Sequence, residues 1–442
     1  MSGRPLFCII SACILLLPFP VKAADFTMKS AVMRALEHNP GIESAHLASE
    51  AAASAREAAR SSFGPSLGVS YSYSRYSKDR PTRYEPNVTT LSVTAAQPLF
   101  TGFNLLNSYQ KAALEEKRQL LQLEAARLDT ALAVQEAFIS YLRARESIRS
   151  TRSALARARA QLDMAKMAWN IGLRPRLDKL QAEVEVARVE ALVISHENDR
   201  EIRRARLAAL LDLSAESGEY TGDLSLPRFD RTLEDCLKKA MQHRPDLLMA
   251  RNSVDIAYKD LGIVRSSFWP QLSAVAGWST TGSHLDAAGS RYTSKDYSYG
   301  EVGLSIDWTL FSSGRRIHLT RQAERQVASL EAAVRSAIND CAYTVRSCLL
   351  SAQDAFRSVQ VARRAVASAR ESYEDARMRY EVQSGSYLEL LTAQSALSDA
   401  ELAEISSRAD CLLALAQLYK AMGELHPDLK EEAVVSVRES AG

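Results

Sequence analysis

The chain is 442 residues long, 46% hydrophobic and 7% aromatic, with 18 Gly and 13 Pro, a composition that suits a helix-rich architecture better than a compact α/β enzyme. The formal net charge is +2, and two of the positive charges, Arg4 and Lys22, fall in a segment expected to be removed. The remainder is near neutral, which gives no electrostatic basis for nucleic-acid binding.

Residues 1–23 read as a signal peptide. Arg4 supplies the positive start, Leu6 to Leu17 the apolar run, and Val21-Lys22-Ala23 a small-residue cleavage site. Ile10-Ser11-Ala12-Cys13 resembles a lipoprotein cleavage box and offers a second processing route, with Cys13 lipidated. No later segment is long and apolar enough for a transmembrane helix.

From Asp25, Thr27 is placed to cap a helix that runs to about Ser62, interrupted at His38-Asn39-Pro40 and stopped by Phe63-Gly64-Pro65. The period then changes from 3.6 to 2. Leu67, Val69, Tyr71 and Tyr73 alternate with Ser66, Gly68, Ser70, Ser72 and Ser74, a strand with one apolar and one small polar face. The first repeat thus predicts a strand pair, 66–77 and 89–100, around a polar turn from Lys78 to Asn87.

Phe103 to Ile171 contains no Gly or Pro. As one helix it would span on the order of 100 Å. Leu120, Leu123, Leu128, Ala131, Phe138 and Leu142 form an apolar seam with one irregular step. After Asn170-Ile171-Gly172 the chain returns to about Leu213, giving a helical hairpin over 103–213.

The pattern then repeats, so that 24–222 and 223–423 form two units and 424–442 a polar tail. His243-Arg244-Pro245 and Phe268-Trp269-Pro270 match their first-repeat counterparts at an offset of 205, and Phe311 matches Phe100 at 211. Gly385 and Gln394 match Gly172 and Gln181 at 213. The second unit predicts a capped start at Thr232, strands 271–279 and 297–311 around an enlarged loop from Thr280 to Asp296, and a second hairpin over 314–422.

Strands of this length cross a bilayer when tilted, and their faces suit a barrel with a wet lumen. Four strands cannot close a barrel, so the chain must oligomerise to finish it; the pattern alone allows two copies or three. A secreted chain with membrane strands and a very long helical part reads as a conduit across the outer membrane and periplasm. The alternatives are a periplasmic adaptor, which would carry one hairpin between Gly-rich β-domains, and a structural coiled-coil protein of the envelope, which explains neither signal nor strands. No G-x-S-x-G, P-loop or H-E-x-x-H motif is present, so neither an enzyme nor a cofactor is expected, and the seven histidines lack metal-ligand spacing. Cys236, Cys341, Cys348 and Cys411 read as packing thiols.

The doubled layout, the N-P and W-P-x-L positions, QPLFTG (Gln97 to Gly102) with TLFSSG (Thr309 to Gly314), and GLRPRLDKLQAE (Gly172 to Glu183) resemble the TolC-like outer membrane efflux proteins over about Asp25 to Gly423. The resemblance implies a mainly α fold with a membrane β-barrel: a homotrimer with a 12-stranded barrel in outer-membrane lipid, above a helical α-barrel tunnel. It implies a passive exit duct for a tripartite efflux pump or type I secretion system, served by a periplasmic adaptor and an inner-membrane transporter of RND, ABC or MFS type. It places the constriction and adaptor contacts at the periplasmic tips. Gly172, Leu173, Asp178, Leu180 and Ala182 fit the family's tip motif; Tyr380 to Gln394 fits it with changes, Glu389 standing where an acid is common and Thr392 where a second often occurs. Asp178, Glu389, Arg174, Arg176 and Tyr380 are the implied gate residues. Gly172, Leu173, Gly385, Ser386 and Leu388 are the implied docking tips.

Overall fold

The computed structural model describes residues 25–77, 87–214, 219–227, 229–288 and 297–425. The expected signal peptide, the Cys13 alternative, most of the first strand turn, the second half of the enlarged loop and nearly all of the tail lie outside the described residues.

The order is β1 (Asp25–Phe26), α1 (Met28–His38), α2 (Pro40–Ser61), β2 (Ser66–Arg75), β3 (Asn87–Phe100), α3 (Asn104–Asn170) and α4 (Arg176–Leu210). The second repeat is β4 (Glu219–Tyr220), α5 (Leu233–His243), α6 (Pro245–Ser266), β5 (Gln271–Gly282), β6 (Tyr297–Asp307), α7 (Arg315–Glu381) and α8 (Tyr387–Ala421). Helices pair off by length across the repeats: 11 and 11 residues, 22 and 22, 67 and 67, 35 and 35. Thr27 and Thr232 cap α1 and α5, and Pro40 and Pro245 open α2 and α6, where a missing N–H costs nothing.

This equality corrects the repeat match at the tips. The long helices and the return helices share one numbering offset, that of Arg315 from Asn104 and of Tyr387 from Arg176. By that offset Gly172 is equivalent to Gln383, not Gly385, and both adopt the left-handed region, at φ 76° and 65°. The glycine match misleads because a left-handed turn tolerates a polar residue at modest cost, while Gly385 sits outside that region and simply packs close to the end of α7. A Cβ there would lie 3.1 Å from that of Arg379.

The four long strands form one antiparallel sheet in the order β2-β3-β5-β6. Register puts Leu67, Val69, Tyr71 and Tyr73 on one face with Leu91, Val93, Trp278, Val302, Leu304 and Ile306, and Ser70, Ser72, Ser92, Gly303 and Ser305 on the other. The ladder shifts register between Pro98 and Phe100, where proline cannot donate. β6 stops at Asp307, short of the expected Phe311, as the Trp308 indole N–H turns to the carbonyl of Phe268 (3.2 Å) and Arg316 takes that of Leu310 (2.9 Å).

Below the sheet, α3 and α7 flank α6, with α2 on the other side of α3. Farther down, α4 folds back on α3, α8 on α7, and α8 packs against α3. α1, α5 and the parallel pair β1–β4 lie at the mid-height, where Phe26, Val32, Phe138, Leu142, Leu207 and Tyr220 form one core and Cys236, Cys341, Val345, Leu349 and Leu418 another. Of the expected α3 seam, Leu123, Ala131, Phe138 and Leu142 are buried, whereas Leu120 is exposed. The strictest periodicity lies in α7: Val345, Ala352, Val359, Val366, Tyr373 and Tyr380 are buried at seven-residue steps, a coiled-coil seam. Cys236, Cys341, Cys348 and Cys411 are free, and all but Cys348 are buried.

Candidate functional site at the hairpin tips

Both long helices end in the same hydrogen-bonded turn. Gly172 N–H donates to Trp169 O (2.9 Å) and Leu173 N–H to Ala168 O (2.9 Å); Gln383 donates to Tyr380 O (3.2 Å) and Ser384 to Arg379 O (2.9 Å). This double closure satisfies the last helical carbonyls and needs one left-handed residue, supplied by Gly172 and by Gln383.

The return helices start differently. Pro175 precedes α4 and has neither a side-chain cap nor an N–H to receive one, so Asp178 in the first turn is free to look elsewhere. Ser386 precedes α8 and makes a reciprocal box with Glu389: Glu389 N–H to Ser386 Oγ is 3.2 Å, and Ser386 N–H to Glu389 Oε2 is 3.4 Å. Asp178 and Glu389 occupy equivalent positions, each the third residue of its return helix. Only Asp178 is buried.

Asp178 faces Tyr380 across the two hairpins. The Tyr380 hydroxyl donates to Asp178 Oδ2 at 3.3 Å, and Arg174 Nη2 donates to the Tyr380 carbonyl at 2.8 Å. The Arg174 guanidinium also lies 4.4 Å from the Tyr380 ring centroid, within cation–π range. The hydroxyl bond is longer than the usual 2.7–2.8 Å or so for O–H···O, so it is a weak one. Burial, and then the Asp178 carboxylate, push the Tyr380 hydroxyl above its ordinary range, so it stays a neutral donor at physiological pH.

The structure thus joins three of the five expected gate residues. Arg176 is exposed and makes no hydrogen bond or ion pair among the described residues, and Glu389 is exposed and engaged with its own helix. Leu173 and Leu388 are exposed at the two ends, beside Gly172, Gly385 and Ser386.

Several participants escape sequence reasoning. Tyr387, 2% exposed, stacks edge-on against Tyr380 at 5.6 Å between ring centroids. Burial foremost, and the nearby Glu185 carboxylate next, raise the Tyr387 hydroxyl far above its ordinary range. Glu185 is itself buried and held by Arg188 through two 2.8 Å contacts. Gln161 donates to the Tyr373 hydroxyl (3.2 Å), one of several further polar links between the hairpins, with Ser150 and Arg157 both donating to Glu401 (3.1 Å each). The findable signal for Tyr373 was its place, seven residues before Tyr380, on the buried seam of α7; Tyr387 lies beyond the turn, where that period does not reach.

Among the described residues no helix is long and apolar enough to cross a membrane. The sheet carries the continuous exposed apolar face. Residues 31–212 and 236–424 match the outer membrane efflux protein family. The chain belongs to that family. It is 26% identical over 431 residues to the outer membrane protein TolC of Vibrio cholerae, covering 93% of this chain and 95% of that one. It is 26% identical over 328 residues to the alkaline protease secretion protein AprF of Pseudomonas aeruginosa, covering 69% of this chain and 66% of AprF. Its fold is that of the outer membrane protein VceC of Vibrio cholerae, with a TM-score of 0.77 at 20% identity over 90% of this chain and 96% of VceC. This outer membrane efflux protein is an outer-membrane exit duct with a long periplasmic helical tunnel. The adaptor and scaffold alternatives fall with the two hairpins and the shared sheet. Solved structures of the same fold include outer membrane channels.

Proposed function

We propose that three copies of this chain form one duct, closing a twelve-stranded barrel above a twelve-helix tunnel, and that Asp178, Tyr380 and Arg174 latch its periplasmic constriction. Four long strands and four long helices per copy supply those numbers. The observation that carries the latch is the buried Tyr380–Asp178 contact, which ties α7 of one hairpin to α4 of the other. Because the two partners sit on different hairpins, outward movement of either tip must break it, and Arg174 resists the same movement through the Tyr380 carbonyl and ring. Glu389 and Arg176 contribute exposed charge at the mouth, where a ring of carboxylates would favour cations.

Gly172, Leu173, Gly385, Ser386 and Leu388 form the docking surface for a periplasmic adaptor, their exposed leucines providing the apolar contact. An inner-membrane transporter of RND, ABC or MFS type drives transport through the passive duct, and outer-membrane lipid covers the apolar sheet face. Tyr380→Phe keeps the ring stacking and removes one hydroxyl. It is expected to raise single-channel conductance in planar bilayers several-fold; wild-type currents from correctly assembled Tyr380→Phe channels would take this contact out of the gate.

A further inference from the structure

The two repeats are related by two fixed numbering offsets. The start of β2 at Ser66 and of β5 at Gln271 differ by 205, while the starts of α3 and α7, Asn104 and Arg315, differ by 211. The strand ladders obey the same offsets. Val69 faces Val93 in the first hairpin, and their counterparts at 205 and 211, Ala274 and Leu304, face each other in the second. One relation has no counterpart within the chain. β3 of the first hairpin pairs with β5 of the second, Val93 facing Trp278, but β6 and β2, which stand in that same relation, are the two edges of the sheet. Their unpaired N–H and C=O groups cannot be left in lipid, and four strands are too few for β6 to curl back onto its own β2.

We infer that β6 pairs antiparallel with β2 of a second copy in a register that repeats the β3–β5 seam. Leu304 then lies opposite the partner subunit's Tyr73, Ser305 opposite the partner subunit's Ser72, and Asp307 opposite the partner subunit's Ser70. The derivation is direct: Leu304 is the second-repeat counterpart of Val93, Tyr73 is the first-repeat counterpart of Trp278, and Val93 faces Trp278. Side-chain parity gives an independent check. Leu304 and Tyr73 both belong to the apolar face, and Ser305 and Ser72 both to the polar one. A slip of one residue would set serine against tyrosine along the whole seam and turn one strand inside out.

The helices below cannot copy the inner seam as closely. Within the chain, a Cβ on Gly262 would lie 2.7 Å from the Asn107 side chain, so α3 and α6 nearly touch. The equivalent positions between copies are His318 and the partner's Glu57, both bulky. The seam between copies is therefore held in register by its strands.

This register rests on the multi-copy barrel proposed above and adds its residue pairing. The test is oxidative cross-linking of the full chain in outer membranes, with Ser72→Cys and Ser305→Cys in one polypeptide. Directly opposed strand positions lie about 4.5–5.5 Å apart between Cα atoms, within disulfide range. Covalent oligomers are expected from Ser72→Cys/Ser305→Cys and from a second pair, Ser70→Cys/Asp307→Cys. Gly68→Cys/Ser305→Cys, displaced by four residues or about 13 Å, should stay uncross-linked. Each variant is also sized in mild detergent without oxidant. Oligomers that cross-link only through the displaced pair, or through none, overturn the register and leave the barrel standing. A monomeric wild-type chain overturns both.

Discussion

The two hairpin tips are built on one backbone plan and use their acids in opposite ways. Both long helices close with the same pair of hydrogen bonds, and both return helices carry an acid in the first turn, Asp178 in one and Glu389 in the other. At the second tip Ser386 captures Glu389 in a capping box, so the carboxylate serves its own helix. At the first tip Pro175 lacks the N–H that such a box requires, and Asp178 reaches across to Tyr380 instead. A proline at the cap thus turns a local stabiliser into a long-range contact. The difference between an acid that holds a helix and an acid that holds two hairpins together lies in the residue three places before it.

The comparison breaks most readily at the acids themselves. Asp178→Ala leaves a buried tyrosine hydroxyl without its acceptor, at a cost of about 1–3 kcal/mol. It should raise conductance at least as much as loss of the Tyr380 hydroxyl. Glu389→Ala removes a cap worth about 1 kcal/mol, and should lower cation selectivity while leaving conductance near wild type. Equal conductance changes in the two variants would show that the acids share one role, against the division drawn between the tips. A sharper and smaller effect is expected from Pro175→Ser, which restores both a hydroxyl and an N–H at the cap. Asp178 can then form a box like that of Glu389, and a competing pull of about 1 kcal/mol shifts the latched population roughly fivefold. Pro175→Ala restores the N–H without the hydroxyl and should open the channel less. If both substitutions behave as wild type in bilayer recordings, the proline does not govern the acid.

Much of the architecture was legible in the sequence because it rests on period and punctuation. The change from a 3.6 to a 2 period at Ser66, the breaker-free runs and the doubled Pro positions each report a local preference that packing then reinforces. The site was legible only in part. Asp178, Arg174 and Tyr380 could be named from the tip motif, but their meeting crosses 202 residues of chain for Tyr380–Asp178 and 206 for Arg174–Tyr380. No local pattern encodes that. Glu389 shows the converse: its type and place suggest a pore charge, while the serine three residues earlier already offers a partner. The second left-handed turn was misplaced for a related reason. Glycine marks such positions often enough that Gly385 drew the match, yet Gln383 holds the turn.

That last residue gives the mildest way to sharpen the comparison. Gln383 and Gly172 close equivalent turns at φ 65° and 76°, but only glutamine has a Cβ to strain there. Gln383→Gly should therefore stabilise the second tip by up to about 1 kcal/mol, less the greater chain entropy of glycine in the unfolded state. Gly172→Ala should destabilise the first by a similar amount through φ alone, since a Cβ at Gly172 meets no atom within 4 Å. Denaturant midpoints of the assembled protein read both shifts, which should be opposite in sign. Conductance should stay constant in Gln383→Gly, because the proposed latch would use the Tyr380 hydroxyl, ring and carbonyl and ask nothing of the Gln383 side chain. A conductance change there would mean that the turn itself, and not the contact between hairpins, sets the aperture.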